Sequence, residues 1–176
     1  MTEVILYIAH SIDGFIADRH GGIGWLKPYD GTDFGYDGFI RRVDAVVMGR
    51  KTYQDCRGFG TWPYPGKSTV VMTKGPPVDG DGLAVFDGRS PQEILIDLEH
   101  AGRKTAWIVG GGGPIRAFLD AGLLKRLILF QMPVLLGAGT PLWPPGRKSY
   151  TATLRRTTAH EIGVVETEYE IGRTFV

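Results

Sequence analysis

Between Trp107 and Leu119 the chain reads Trp-Ile-Val, then four glycines at 110–113, then Pro-Ile-Arg-Ala-Phe-Leu, and few architectures accommodate that order. Trp107, Ile108 and Val109 have the character of a buried strand, whereas Ile115, Phe118, Leu119 and Leu123 recur at helical spacing. A strand that breaks at glycines and restarts as a helix leaves unpaired N–H groups and the positive end of a helix dipole beside backbone that lacks Cβ atoms. That combination favours a phosphate. Pro114 suits the first helical position, where a missing N–H costs nothing. The alternative is a merely tight strand-to-helix turn, but such a turn usually needs one glycine.

The segments around this feature alternate between strand and helix. Val4 to Ala9 is a short apolar run followed by turn chemistry at Ser11-Ile12-Asp13-Gly14. Phe39, Ile40 and Val43 fall at helical spacing and lead into a second strand, Ala45 to Met48. Val70 to Met72 and Leu83 to Phe86 repeat the strand signal across a surface connection from Lys74 to Gly82. Ser90-Pro91-Gln92-Glu93 forms a capping box, and Ile94, Leu95, Leu98 and Ala101 share one helical face. Arg126 to Leu136 reads as a strand buried on both faces. From Tyr150 the pattern alternates, with Val165, Thr167, Tyr169 and Ile171 on one side and Glu166, Glu168 and Glu170 on the other, which predicts a closing antiparallel hairpin. Strands separated by helices imply right-handed crossovers, a mainly parallel sheet covered on both faces, and ligands beyond the carboxyl ends of the strands. The stretch from Gly58 to Gly66, with Trp62-Pro63-Tyr64-Pro65, is either a lid or a packed surface loop.

Composition narrows the classes. With 176 residues, 43% of them hydrophobic, the chain suffices for one substantial core, so a single domain over 1–176 is expected. A net charge of +1 without a basic block argues against nucleic acid as a partner. Cys56 is the sole cysteine, so an intramolecular disulfide and a structural zinc site are both excluded. The start of the chain lacks signal-peptide character and no apolar run is long enough for a bilayer, which makes no membrane partner and a cytoplasmic location the expectation.

A second glycine turn follows the strand at Met48: Gly49-Arg50-Lys51-Thr52 opens a helix with two cations and a hydroxyl in its first turn. Cations there oppose the helix dipole unless an anion sits nearby, and phosphate accepts charge-assisted hydrogen bonds from both. Alone, the pair reads equally as a solvated face. Thr73-Lys74, at the end of the next strand, adds another hydroxyl and cation. Two glycine turns and three cations at neighbouring strand ends describe a dinucleotide with an extra phosphate, NADPH over NADH, with Arg50, Lys51 and Lys74 at the ribose phosphate.

Four motifs in order, Ser11-Ile12-Asp13-Gly14-Phe15-Ile16-Ala17-Asp18, Met48 to Tyr53, Val109 to Gly112 and Pro133 to Gly139, resemble the dihydrofolate reductase-like superfamily. Within it the chain is most similar to the C-terminal reductase domain of the bacterial bifunctional riboflavin-biosynthesis deaminase-reductase. The resemblance implies a three-layer α/β fold with a mainly parallel central sheet of about eight strands. It implies NADPH with its pyrophosphate against Gly110, Gly111, Gly112 and Gly113, where relatives commonly hold a cis Gly-Gly peptide. It places Ala9 and Ile16 at the nicotinamide carboxamide. Gly49, Arg50, Lys51 and Thr52 fall at the phosphate-binding helix start, with Thr73 and Lys74 at the adenosine end. Dihydrofolate reductase has an arginine where Gly113 stands, and Lys74 is the compensating cation. A homodimer is implied as well.

The implied activity is NADPH-dependent reduction of a pyrimidine- or pterin-type heterocycle, nearest to 5-amino-6-(5-phosphoribosylamino)uracil reductase. The zinc signature of the partner deaminase is missing from the sequence, so only the reduction is expected. Two alternatives stand: a dihydrofolate reductase, and a nucleotide-binding module without catalysis. Asp33 occupies the position of the carboxylate that relays a proton to a pterin, and it reads equally as a helix cap. Trp25 and Phe34 are candidates to stack on a heterocycle, or are core. Gln131, a polar group in an apolar strand, contacts either substrate or neighbouring backbone. Asp13 is read as a turn carboxylate bound to backbone. His10 is the histidine nearest the expected nicotinamide; His20, His100 and His160 read as surface residues.

Overall fold

The structure, a computed structural model, describes residues 1–74, 78–79, 82–146 and 148–175. Its first strand, β1 (Glu3–Ser11), lies mid-sheet, because Val4, Ile5 and Leu6 are apolar on both faces and all three are buried. A turn at Gly14 leads to β2 (Phe15–Asp18), then a 3-10 helix (Gly24–Tyr29), α1 (Tyr36–Ile40), β3 (Ala45–Gly49), α2 (Arg50–Arg57) and β4 (Ser68–Met72). There follow β5 (Val78–Asp79), β6 (Val85–Asp87), α3 (Pro91–His100), β7 (Thr105–Gly110), α4 (Gly112–Asp120) and β8 (Leu124–Met132). The chain closes with β9 (Gly139–Pro141), β10 (Ser149–Ala159) and β11 (Val165–Phe175).

The central sheet runs β10-β11-β8-β1-β7-β3-β4-β6-β5, and β2 pairs with β9 in a separate two-stranded sheet. From β8 through β6 every neighbouring pair is parallel, while β11 and β10 return antiparallel as the predicted hairpin. The ninth strand, β5, is a two-residue antiparallel addition to β6. Helices cover both faces: α3 and α4 pack through Ile94, Leu98, Ile115 and Phe118, whereas α1 and α2 pack through Phe39, Tyr53 and Cys56 on the opposite side. The architecture is a three-layer α/β fold. Close approach dictates one residue of the small sheet, since a methyl group at Gly139 would lie 2.0 Å from the Ala17 carbonyl oxygen.

Several boundaries differ from those read in the sequence. The helix carrying Phe39 and Ile40 stops at Ile40, leaving Val43 in the turn beyond it, and starts where Gly35 takes φ 85°. Leu83 and Ala84 precede β6 and Asp87 joins it. In the Lys74 to Gly82 connection, residues 75–77 and 80–81 lie outside the described residues, and Val78–Asp79 are strand. β8 ends at Met132, before Pro133, which has no N–H for the ladder. The helix after the glycines begins at Gly112, not Pro114, because Gly111 with φ 90° already turns the chain. Pro114 is then its third residue, still within the first turn where N–H groups lack intrahelical partners.

Candidate active site

The two glycine turns meet. β3 and β7 are neighbours with Met48 paired to Gly110, so the backbone that follows each strand emerges at one carboxyl edge. A methyl group at Gly111 would lie 3.4 Å from Pro114 Cδ and 3.6 Å from both the Gly49 nitrogen and Thr52 Oγ1. Glycine is favoured there by the φ of 90° rather than by space. Gly112 lies against Pro144, where a methyl would approach within 2.8 Å, whereas Gly113 faces open space. The first-turn amides of α4 therefore reach solvent beside Gly113 and the Thr52 hydroxyl, a donor set that fits a pyrophosphate. Peptide bonds among the described residues are all trans, including those within the glycine run, where the resemblance implied a cis bond.

The predicted cation group divides. Consecutive helical residues point about 100° apart, and Arg50 and Lys51 face different neighbours. Arg50 reaches the β4 and β6 ends, donating to Thr73 Oγ1 at 3.1 Å with its guanidinium 5.4 Å from the centre of the Phe86 ring. Lys51 turns the other way, packs its stem over Gly21 and pairs with Asp55 at 2.8 Å. Lys74 is exposed beyond the end of β4.

Beside the glycine turns opens a cleft of about 410 Å³, a volume suited to a small ligand. Ala9, Ile16, Lys51, Thr52, Gly110 and Gly111 line it, so six of the residues read as cofactor-binding face one cavity. Its inner wall is aromatic, formed by Tyr7, Tyr36, Tyr64 and Trp107. Trp107 meets Tyr64 edge-on at 5.5 Å and Tyr36 at 6.0 Å, and its indole N–H donates to the Tyr7 carbonyl oxygen at 3.0 Å. Burial pushes the Tyr36 hydroxyl above its ordinary value, with the nearby Cys56 and Asp37 adding to the effect. Burial likewise raises Tyr64 and Tyr7, and it raises the Cys56 thiol on the same wall. All four groups stay protonated at neutral pH. Ile23 and Phe59 form part of the mouth and remain 47% and 60% exposed. The segment from Gly58 to Gly66 is packed only at its middle, where Trp62 meets Tyr53 at a tilt and Tyr64 edge-on, each at 5.6 Å, while Gly58 to Thr61 and Pro65 to Gly66 are exposed.

Other candidates lie elsewhere. Asp33 is exposed and lies two residues before Gly35, the N-cap of α1, and its carboxylate accepts the Tyr36 N–H, the first amide of that helix, at 2.7 Å. Phe34 contacts Phe130 and His160 at 5.8 and 5.0 Å. Both border a second, smaller pocket of about 280 Å³ on the β8, β10 and β11 side. Trp25 packs against the α1–α2 core, and Gln131 sits between His10 and Val165 in the sheet. Neither lines the cleft. Burial holds His10 below its ordinary value, so it is neutral, and its Nδ1 lies 2.8 Å from the Ser11 carbonyl oxygen. His160 is not a surface residue: it lies 3.3 Å from Glu166, which is 5% exposed and also bound by Arg156. Asp13 accepts from Ser11 Oγ and from the Leu136 and Gly137 N–H groups.

Sequence reasoning missed the aromatic wall. The signal was parity, because Ile5, Tyr7 and Ala9 alternate onto one face of β1, as do Trp107 and Val109 on β7. Cys56 follows Thr52 by four residues and shares its side of α2.

Comparison with known proteins places this geometry in context. Uncharacterized protein YwjB of Bacillus subtilis (strain 168) is 33% identical over 143 residues, covering 80% of this chain and 82% of that protein. A crystal structure from Shewanella sp. PV-4, provisionally named for riboflavin biosynthesis, superposes with a TM-score of 0.86 at 29% identity over 98% of this chain and 100% of that one. Dihydrofolate reductase from Enterococcus faecalis, solved with NADP(H), shares the fold at a TM-score of 0.60 and 21% identity, over 96% and 94% of the two chains. Among the described residues no helix is long and apolar enough to cross a membrane. This chain belongs to the RibD C-terminal domain family, whose model matches residues 2–165.

Proposed function

We propose that the chain is a reductase that uses NADPH to reduce a flat nitrogen heterocycle of pyrimidine or pterin type, in the reaction class of 5-amino-6-(5-phosphoribosylamino)uracil reductase. The observation that carries this reading is the meeting of the Gly49 and Gly111 turns, with Thr52 beside them, at the edge of an aromatic cleft. The amides of Gly111 to Gly113 and the Thr52 hydroxyl would hold the pyrophosphate. Arg50, with Thr73 and the exposed Lys74, is the group available to the ribose phosphate, while Lys51 faces the cleft. Ala9 and Ile16, both on the cleft wall, would receive the nicotinamide amide. NADPH, when bound, supplies a hydride.

The chain's own residues position the acceptor and keep water from the reacting faces. Tyr36 stays protonated, so it orients a ring carbonyl or nitrogen by donating a hydrogen bond. A phenol whose pKa is raised further gives up its proton poorly at neutral pH. The proton that follows the hydride therefore enters from water at the cleft mouth. The exposure of Asp33 and its engagement by the Tyr36 N–H argue against a dihydrofolate-type relay at that position.

Binding discriminates these readings before any substrate is known. Titration followed by nicotinamide fluorescence is expected to show NADPH bound at least about tenfold more tightly than NADH, the yield of one charge-assisted contact to the ribose phosphate. Binding of neither nucleotide defeats the reductase reading, and equal binding defeats the role given to Arg50.

A further inference from the structure

We infer that the acceptor is a flat ring without a phosphate group, bearing an apolar face or substituent that covers Ile23 and Phe59 at the cleft mouth. The inference rests on the reductase reading and narrows its substrate. The deep wall offers ring faces and edges from Tyr7, Tyr36, Tyr64 and Trp107, a surface that rewards a planar neutral molecule. Its polar groups are hydroxyls and a thiol held protonated by burial, suited to neutral carbonyl and ring nitrogen atoms. Among the described residues Lys51 is the one cation lining the cleft, and Asp55 already occupies it at 2.8 Å. A phosphate ester entering there would meet the Asp55 carboxylate and aromatic surface, losing hydration without a free cation in return.

The arginines on this side of the sheet line a pocket that borders the cleft at Tyr7, and they are already partnered, Arg42 by the Gly38 carbonyl oxygen. Arg42, Arg126 and Arg156 line the second pocket, where Arg126 pairs with Glu168 at 2.6 Å and Arg156 with Glu166. Meanwhile Ile23, before the 3-10 helix, and Phe59, after α2, bring two largely uncovered apolar side chains to one opening. Single exposed hydrophobics are ordinary, but two from distant parts of the chain on one cavity favour an occupant that covers both.

The test is equilibrium binding with NADP+ present, which loads the cofactor side without turnover. The probes are a fluorescent pteridinedione with a hydroxyethyl arm and the same compound as its phosphate monoester. The neutral compound is expected to bind at least about tenfold more tightly than the ester. Phe59→Ala should weaken it by about fivefold and Phe59→Leu by less, with NADPH affinity measured on the same samples. Equal or tighter binding of the ester, or binding of neither compound to protein that binds NADPH, overturns the substrate assignment and leaves the reductase reading standing. Failure to bind NADPH overturns both.

Discussion

Gly111 and Gly113 stand two residues apart, and a methyl group would do different things at each. At Gly111 it would sit in ordinary contact with Pro114 and Gly49 but at a positive φ, a strain of about 1–3 kcal/mol. At Gly113 nothing lies within 4 Å, and alanine should gain about 0.5–1 kcal/mol of helix stability. Gly113→Ala is therefore expected to raise the melting temperature while lowering NADPH affinity, because the methyl shields the amides that a pyrophosphate approaches. A variant both more stable and undiminished in NADPH binding would remove Gly113 from the cofactor site. Asp33→Asn is expected to leave stability within about 0.5 kcal/mol and reductase turnover within about twofold of wild type, since the asparagine side-chain oxygen also accepts the Tyr36 N–H. A loss of turnover at neutral pH with the fold intact would restore the relay. That choice was open in the sequence because Asp33 fits a cap and a relay alike, and only the direction of its side chain toward the Tyr36 N–H separates them.

Among the elements, the start of α3 was legible to the residue, although Ala101, read onto its apolar face, is the exposed C-cap. Ser90 accepts the Glu93 N–H and Glu93 in turn accepts the Ser90 N–H, with Pro91 between them in the first turn, all local chemistry. Ser90→Ala should cost about 1 kcal/mol in urea unfolding. Hydrogen bonds from Ser90 hold the exposed Glu93 carboxyl below its ordinary value. Its support is therefore present above the ordinary glutamate range and lost as pH falls through the lowered value. The strands β1, β3 and β7 were legible for a similar reason, since apolar runs bounded by turn residues are local signals. Parity along β11 was also readable, but not what lies over each side: Glu166 and Glu168 face inward because Arg126, Arg156 and His160 from other elements meet them. The divergence of Arg50 and Lys51 escaped notice similarly. Their partners Thr73 and Asp55 are fixed by the placement of β4 and by the winding of α2, not by adjacency in the chain.

Across the whole molecule, Asp13 ties the first turn to the segment that follows β8, accepting from the Leu136 and Gly137 N–H groups at 3.1 and 2.7 Å. The hydrogen bond from the Ser11 hydroxyl, and then those two backbone bonds, hold its carboxyl below the ordinary value. The resulting stability is in place above about pH 4 and disappears as pH falls through the lowered folded-state value. Asp13→Asn should thus be less stable at neutral pH and lose less than wild type on acidification below about pH 4, as read by denaturant midpoints across that range. An unchanged acid limb would deny Asp13 this part.

Responsibilities at the cleft are split along the chain. Thr52, Gly110 and Gly111 lie at the junctions of β3 with α2 and β7 with α4, and Tyr7 and Trp107 stand in the sheet itself, whereas Ile23, Leu26, Tyr36, Phe59 and Tyr64 come from segments outside the central sheet. Substitutions in those outer segments would reshape the acceptor side proposed above while leaving the glycine junctions in place.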